Sequence, residues 1–196
     1  MKKQYQIVAI FFFALLLGTA VFTSRNSKNT EVKPHIASEA LAAEFERLSK
    51  SGNSTCSAVF KDSIMIMPDG AHIQGSCCSP MGFHRYSEQI EGLKKYKDIP
   101  EIPTDPYNVN ASLAKELISY YDTELSLEEQ KAYDYATEHS HEKGPCCCKC
   151  WRWYVYGGLA KKLIKERGFT GEQIVDVWNL SDGCGGDGDH VGDHHM

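Results

Sequence analysis

Several features that would identify a common function are missing from this sequence of 196 residues. No cluster of lysine and arginine is interleaved with aromatic residues, and the formal net charge is −5, which argues against a nucleic-acid partner. No Ser/His/Asp set, phosphate-binding loop or pair of acid/base carboxylates stands out, so the balance is against an enzyme of the hydrolase or transferase type. No cysteine precedes Cys56, which argues against a lipid-modified cysteine near the N-terminus.

The N-terminus carries an apolar segment. Lys2 and Lys3 precede an uncharged run over residues 7–22, which is long for the apolar part of a signal peptide and slightly short for a bilayer span. We therefore predict a signal peptide or an uncleaved membrane anchor over residues 1–24, followed by a tether over residues 25–34. Positive charge before the run favours export of the chain that comes after it, so we expect an extracytoplasmic protein, either secreted or anchored in the membrane.

The rest of the chain predicts a mainly α-helical protein. Residues 35–98 are expected to form a small αβ module, residues 99–108 a proline-rich connector, and residues 109–180 a helical bundle that carries a cysteine cluster. Residues 181–196 are rich in glycine, aspartate and histidine and are expected to form a flexible tail. Helix starts are indicated at Asn110, at Ser126 with Glu129, near Pro145, and at Thr170 with Gln173, and the helix that starts near Pro145 is expected to end at Gly168.

Within the αβ module we predict a β-hairpin that turns at Pro68, Asp69, Gly70 and Ala71. Alternation along its strands places thioether, imidazole and thiol donors on one face of the hairpin, with one more thiol adjacent in sequence. Such donors select Cu(I) or Ag(I) ions. The donors are Met65, Met67, His72 and Cys78, with Cys77 next to them. The methionines have an alternative role, because methionines on a strand commonly pack against a helix.

The densest feature of the sequence is GPCCCKC over residues 144–150, which has four cysteines in five positions. If a helix begins near Pro145, Cys147 and Cys150 point the same way on its first turn, and Cys146 also meets Cys150. The free N–H groups and the helix dipole at that end favour negative charge and so lower thiol pKa values. The segment is therefore expected to hold thiolates, which soft metals and redox chemistry both require.

Eight cysteines in an exported chain also suggest disulfides, but neighbouring cysteines pair with each other only through a strained ring. We predict a soft-metal site that prefers Cu(I), with zinc as a second option if histidines join the cysteines. The predicted ligands are Cys146, Cys147, Cys148, Cys150, Cys77, Cys78, Cys184, Met65, Met67, His72, His139 and His141. Metal resistance, buffering, or delivery to a protein partner would use such a site.

Two alternatives stay open. The first is an exported thiol-disulfide oxidoreductase that uses Cys147 and Cys150, although a thioredoxin-type site expects a strand before its Cys-x-x-Cys, and none is indicated here. The second is an interaction module in which all eight cysteines form disulfides, including Cys184 with one of the four clustered cysteines.

Aromatic residues come directly after the cysteines. Trp151, Trp153, Tyr154 and Tyr156 cover more than one side of the predicted helix, which indicates either a buried central helix or a shell that excludes water from the cluster. The pair at residues 157–158 is Gly-Gly, which would weaken the helix unless another helix packs closely there.

The segment YATEHSHEKGPCCCKC resembles a family of small exported bacterial proteins, often lipoproteins, that is known by a PCYCGC motif. The matching positions are Ala136, Glu138, His139, Pro145, Cys146, Cys148 and Cys150. The later segment LAKKLIKERGFTGEQIVDVW is similar to the closing helix pair of that family, so the resemblance covers roughly the last third of the chain. Cys147 and Lys149 replace the tyrosine and glycine of the motif, and a lipobox and a second Cys-x-x-Cys are missing. The resemblance implies an exported, metal-associated protein and supplies no reaction.

Overall fold

The computed structural model describes residues 34–57 and 59–185. The predicted signal or anchor segment, the tether up to residue 33 and residues 186–196 of the tail lie outside the described residues. None of the helices in the described ranges combines the length and the apolar character that a membrane span needs.

The described part of the chain is mainly helical, as predicted. It contains seven α-helices and one sheet of two short strands. The helices are α1 (Pro34–Lys50), α2 (Phe60–Met65), α3 (Phe83–Leu93), α4 (Ala111–Tyr120), α5 (Leu127–His139), α6 (Trp151–Arg167) and α7 (Gly171–Leu180), and a short 3-10 helix (Lys94–Tyr96) follows α3.

Side-chain caps begin three of the helices at the predicted positions. The Asn110 side chain accepts hydrogen bonds from the backbone at the start of α4, and Ser126 and Thr170 form capping boxes at α5 and α7. Gly168 ends α6 in the left-handed conformation, with φ of 67°, which glycine adopts without steric cost. These boundaries depend on a few neighbouring residues, and the sequence therefore predicted them correctly.

The predicted hairpin is wrong. β1 (His72–Gln74) pairs antiparallel with β2 (Asn108–Asn110), with Ile73 opposite Val109, and the residues expected to form the first strand form α2 instead. Phe60, Ile64 and Met67 recur at spacings of four and three, which suits one helical face, and all three pack in the hydrophobic core. Ile66, which strand alternation would place on the same face as the buried Ile64, is 86% exposed. This segment therefore follows the spacing of a helix and not the alternation of a strand.

The central element is α6, which confirms the buried helix indicated by its aromatic residues. Trp151 and Tyr156 are buried, and α4 packs against the helix at Gly158. The start predicted near Pro145 is wrong, because residues 141–150 form turns and bends and Cys150 is the extended residue that precedes the first helical residue, Trp151. Lys143 and Gly144 both have positive φ, 53° and 151°, which turns the chain sharply after α5 and prevents a helix there.

Residues from both sides of the predicted connector pack in one hydrophobic core. Ile64, Ile73 and Leu93 from the first part pack in the same cluster as Leu117 and Leu159 from the second. Residues 99–107 of the predicted connector contain no helix or strand, as expected from its prolines, whereas its last residue, Asn108, begins β2. Contacts place the described residues from His35 onward in one compact unit, so the loops on both sides of the connector can supply residues to one site.

Candidate metal centre

All eight cysteines of the chain meet in one cluster, and all eight are free thiols. Four separate segments supply them. Cys56 follows α1, Cys77 and Cys78 follow β1, the segment of residues 146–150 precedes α6, and Cys184 follows α7. Cys56 was not among the predicted ligands, and no local signal in its surroundings could have identified it.

The sulfur atoms lie in or near van der Waals contact with one another. The Sγ–Sγ distances are 3.0 Å for Cys56–Cys148, 3.2 Å for Cys147–Cys184, 3.4 Å for Cys146–Cys184, 3.6 Å for Cys77–Cys78, 3.7 Å for Cys146–Cys150 and 3.9 Å for Cys77–Cys184. Cys146 thus meets Cys150, as predicted, although both lie before the helix. Cys147 is in contact with Cys184, whereas the prediction paired it with Cys150.

The sulfurs form four groups of three, and within each group the atoms lie within 4.8 Å of one another. The groups are Cys56–Cys78–Cys148, Cys77–Cys78–Cys184, Cys146–Cys147–Cys184 and Cys146–Cys148–Cys150. Within the described residues, no histidine or carboxylate belongs to any group. The candidate site is therefore made of sulfur alone.

Backbone hydrogen bonds join the loop after β1 to the end of the described chain. The N–H of Cys77 donates to the carbonyl of Gly183 at 3.3 Å, and the N–H groups of Cys78 and Ser79 donate to the carbonyl of Cys184 at 3.3 and 2.8 Å. These bonds hold two loops side by side that are more than a hundred residues apart in sequence. They place Cys77, Cys78 and Cys184 in one sulfur group.

The loop that carries Cys56 is held by β1 and α6. The N–H groups of Asn53 and Ser54 both donate to the carbonyl of Gln74 at 2.9 Å. The indole N–H of Trp151, the first residue of α6, donates to the Ser54 hydroxyl at 3.1 Å. Cys56 is thereby positioned beside Cys148, which lies just before that helix.

The side chain of Arg152 contacts three loops, at Gly75, Pro106 and Gly183. Its guanidinium is buried and donates to the carbonyls of Pro106 at 2.7 Å and Gly75 at 3.3 Å. It stacks on the Trp151 ring at 4.6 Å, and a Cβ on Gly183 would lie 2.0 Å from its Cζ, so only glycine leaves room for it. The partners of this buried cation are carbonyls and aromatic rings rather than carboxylates.

The charge of Arg152 persists in spite of its burial. Burial lowers its pKa, but the nearby ionisable groups of Tyr156 and Cys77 outweigh that effect and raise the pKa above the ordinary value for arginine. The cluster therefore lies next to a permanent positive charge in a region of low dielectric. Such a charge favours anionic sulfur.

Two of the eight thiols have lowered pKa values, and the other six have raised pKa values. Contacts with the Cys146 and Cys184 thiols lower the pKa of Cys147. The Cys146 thiol raises the pKa of Cys77, but Cys150 and Cys184 lower it to about 7. The other six thiols have raised pKa values, through burial and neighbouring thiols. A bound cation would have to displace protons from most of them.

The predicted second soft site does not form as a separate face. Its two cysteines belong to the main cluster, whereas Met65 lies on α2 and is 45% exposed, and Met67 packs against the core. The Nδ1 atom of His72 is engaged with the Asn108 side chain at 2.9 Å. The common strand face on which that prediction depended is absent, because the hairpin is absent.

The histidines at the end of α5 also lie apart from the sulfur groups. His139 stacks on the Tyr135 ring at 3.9 Å, and its Nδ1 lies 2.8 Å from the Tyr135 carbonyl oxygen. The backbone N–H of His141 donates to the Asn179 side chain at 2.9 Å. Neither imidazole belongs to a potential metal-binding group in the part of the chain that the structure describes.

The cluster has an inner and an outer side. Cys146, Cys150 and Cys184 are buried and belong to the hydrophobic core. Cys56, Cys78 and Cys147 are exposed, and Cys77 and Cys148 are half-buried. An ion can therefore reach the cluster from solvent on one side, while the other side is protected from water.

Comparison with protein-family models, with curated proteins and with solved structures gives no match. The resemblance to the PCYCGC-motif proteins therefore depends only on the residues quoted for it. The chemistry of the cluster is the basis on which a function can be argued.

Proposed function

We propose that this protein is an exported soft-metal-binding protein that holds Cu(I) in its cysteine cluster, for metal resistance, buffering or delivery. The observation that carries the proposal is the convergence of all eight cysteines into four groups of three sulfurs, which no histidine or carboxylate of the described ranges joins. Thiolates select soft ions, of which Cu(I) is a strong binder.

The sulfur spacing supports coordination. Metal–thiolate bonds of about 2.3 Å, the length found for zinc, place the sulfurs of one site about 3.8 to 4.0 Å apart in tetrahedral or trigonal geometry. The contacts that do not involve Cys56 span 3.2 to 3.9 Å. Small side-chain rotations would therefore admit an ion.

The number of sulfurs in each group favours Cu(I) over zinc. Structural zinc sites are tetrahedral with four protein ligands, and each group offers three sulfurs with no histidine or carboxylate from the described residues to complete the set. Cu(I) is satisfied by three thiolates. The exposed thiols of Cys56, Cys78 and Cys147 would allow direct transfer to a protein partner.

A thiol-disulfide oxidoreductase that uses Cys147 and Cys150 has less support. Cys147 contacts Cys184 at 3.2 Å, and Cys150 contacts Cys146 at 3.7 Å, so the two residues of the Cys-x-x-Cys have different nearest sulfurs. A crosslinked interaction module would need the crowded thiols oxidised in pairs, and neighbouring cysteines such as Cys77 and Cys78 pair with each other only through a strained ring.

The direct test is an anaerobic titration of the fully reduced, full-length protein with Cu(I) in the presence of a chromophoric Cu(I) chelator. We expect the protein to take more than one Cu(I) per chain from the chelator. The control is the same protein after its thiols have been alkylated, which should take none. If the chelator retains all of the Cu(I) against the reduced protein, the proposal is wrong.

The buried charge of Arg152 gives a second prediction. Three thiolates carry more negative charge than one Cu(I) ion neutralises, so a loaded group is anionic, and removing the adjacent cation in Arg152→Met should weaken Cu(I) binding by about tenfold to about a hundredfold. Arg152→Lys keeps the charge and loses the paired bonds to Gly75 and Pro106, so it should retain most of the affinity. Chelator competition measures both variants, and thermal unfolding of the metal-free proteins reports on folding. Equal affinities for Arg152→Met and the wild type would contradict this role.

A further inference from the structure

We infer that the eight cysteines hold four Cu(I) ions in one closed ring with four bridging and four terminal thiolates. This inference rests on the proposed function and assigns a role to each cysteine of the site. It is drawn from how the four sulfur groups share their members.

Each group shares one cysteine with the next, and the chain of shared residues closes on itself. Cys78 belongs to the groups of Cys56 and Cys77, and Cys184 belongs to the groups of Cys77 and Cys147. Cys146 then links the Cys147 group to the Cys150 group, and Cys148 links the Cys150 group back to the Cys56 group. The bridging residues are therefore Cys78, Cys184, Cys146 and Cys148.

The other four cysteines each belong to one group. These terminal residues are Cys56, Cys77, Cys147 and Cys150. Every group then contains two bridging sulfurs and one terminal sulfur, and all eight cysteines are used once in one of the two roles. A thiolate has enough lone pairs to bind two soft ions, so a shared sulfur can bind the ions of both groups to which it belongs.

The ring also accounts for protons and charge. When Cu(I) binds, each thiol gives its proton to solvent and its sulfur forms one or two Cu–S bonds, with no change in oxidation state. Four monovalent cations and eight thiolates leave a net charge of four minus, and the Arg152 guanidinium packs against Gly183, the residue before the bridging Cys184. The exposed cysteines Cys56, Cys78 and Cys147 lie on the solvent side, where ions enter.

A matched pair of substitutions tests the ring. Cys56→Ser and Cys78→Ser change exposed residues of the same group, and serine oxygen is a hard, poor ligand for Cu(I). Cys56 is terminal and Cys78 is bridging. At a chelator concentration that leaves four Cu(I) on the wild-type full-length chain, native mass spectrometry should find three on Cys56→Ser and two on Cys78→Ser.

A neighbouring pair repeats the test on the other side of the ring. Cys147→Ser removes a terminal sulfur and should lose one Cu(I), whereas Cys148→Ser removes a bridge and should lose two. X-ray absorption of the loaded wild type should show Cu–Cu scattering, which isolated sites lack. Losses that are equal within both pairs, or a wild type that holds fewer than four Cu(I), would overturn the ring while leaving soft-metal binding intact. A wild type that holds no Cu(I) would instead refute the proposed function itself.

Discussion

Replacing Cys146, Cys147, Cys148 and Cys150 together by serine is expected to reduce the Cu(I) bound by the chain from four ions to one. Three of the four sulfur groups contain at least one of these residues, and only Cys77–Cys78–Cys184 keeps all its sulfurs. A group left with two sulfurs or fewer cannot compete with a strong chelator. Chelator competition with a metal count by native mass spectrometry measures the loss. Unchanged Cu(I) binding by this variant would refute the cluster as the metal site.

Two further variants separate loss of ligands from loss of folding. Cys146 and Cys150 are buried, so a hydroxyl at these positions carries a desolvation cost, but Cys147→Ser/Cys148→Ser changes no fully buried residue and also leaves one intact group. It should therefore match the quadruple variant. The control is Met65→Ala/His72→Ala, which removes exposed soft donors outside the cluster. This control should keep all four ions, and a loss in it would revive the separate methionine and histidine site.

Gly158→Ala is expected to destabilise the protein strongly. A Cβ at this position would lie 1.8 Å from the Leu117 carbonyl oxygen and 3.2 Å from the Tyr121 nitrogen, so it meets the backbone of α4, which cannot rotate away. Separating α4 from α6 would loosen the centre of the core. We expect a loss of about 3 kcal/mol or more in the free energy of unfolding, a large part of the total stability of a typical domain.

Chemical denaturation followed by circular dichroism measures this loss. Gly70→Ala is the control, because nothing lies within 4 Å of a Cβ there, and its effect should stay within about 0.5 kcal/mol. Gly157→Ala meets only the side chains of Tyr121 and Tyr133, which can move, so its cost should lie between the two. A Gly158→Ala protein as stable as the wild type would show that α4 and α6 are less tightly packed than the contact at Gly158 implies.

Helix starts and stops were predictable because their causes are local. Asn110, Ser126 and Thr170 each cap a helix through bonds to residues two or three positions away, and Gly168 ends α6 by its own conformation. The close contact at Gly158 was also predictable, since two glycines in a helix are costly unless a partner approaches there.

The hairpin prediction failed because a short apolar run fits both the spacing of a helix and the alternation of a strand. Phe60, Ile64 and Met67 satisfy the helical spacing, while the neighbouring residues also alternate. The decision came from packing, since Ile64 is fully buried in the core and β1 finds its partner in β2, more than thirty residues later. No local property of the sequence specifies that pairing.

The composition and spacing of the cysteines were sufficient to predict that the thiols of residues 146–150 lie close together, because four cysteines in five positions cannot lie far apart. The inclusion of Cys56, the meeting of cysteines from two predicted sites in one cluster, and the sharing of sulfurs between groups depended on the tertiary structure. Hydrogen bonds and core packing bring together four loops that are distant in sequence, and such contacts produce no periodic pattern of residues from which they could be predicted.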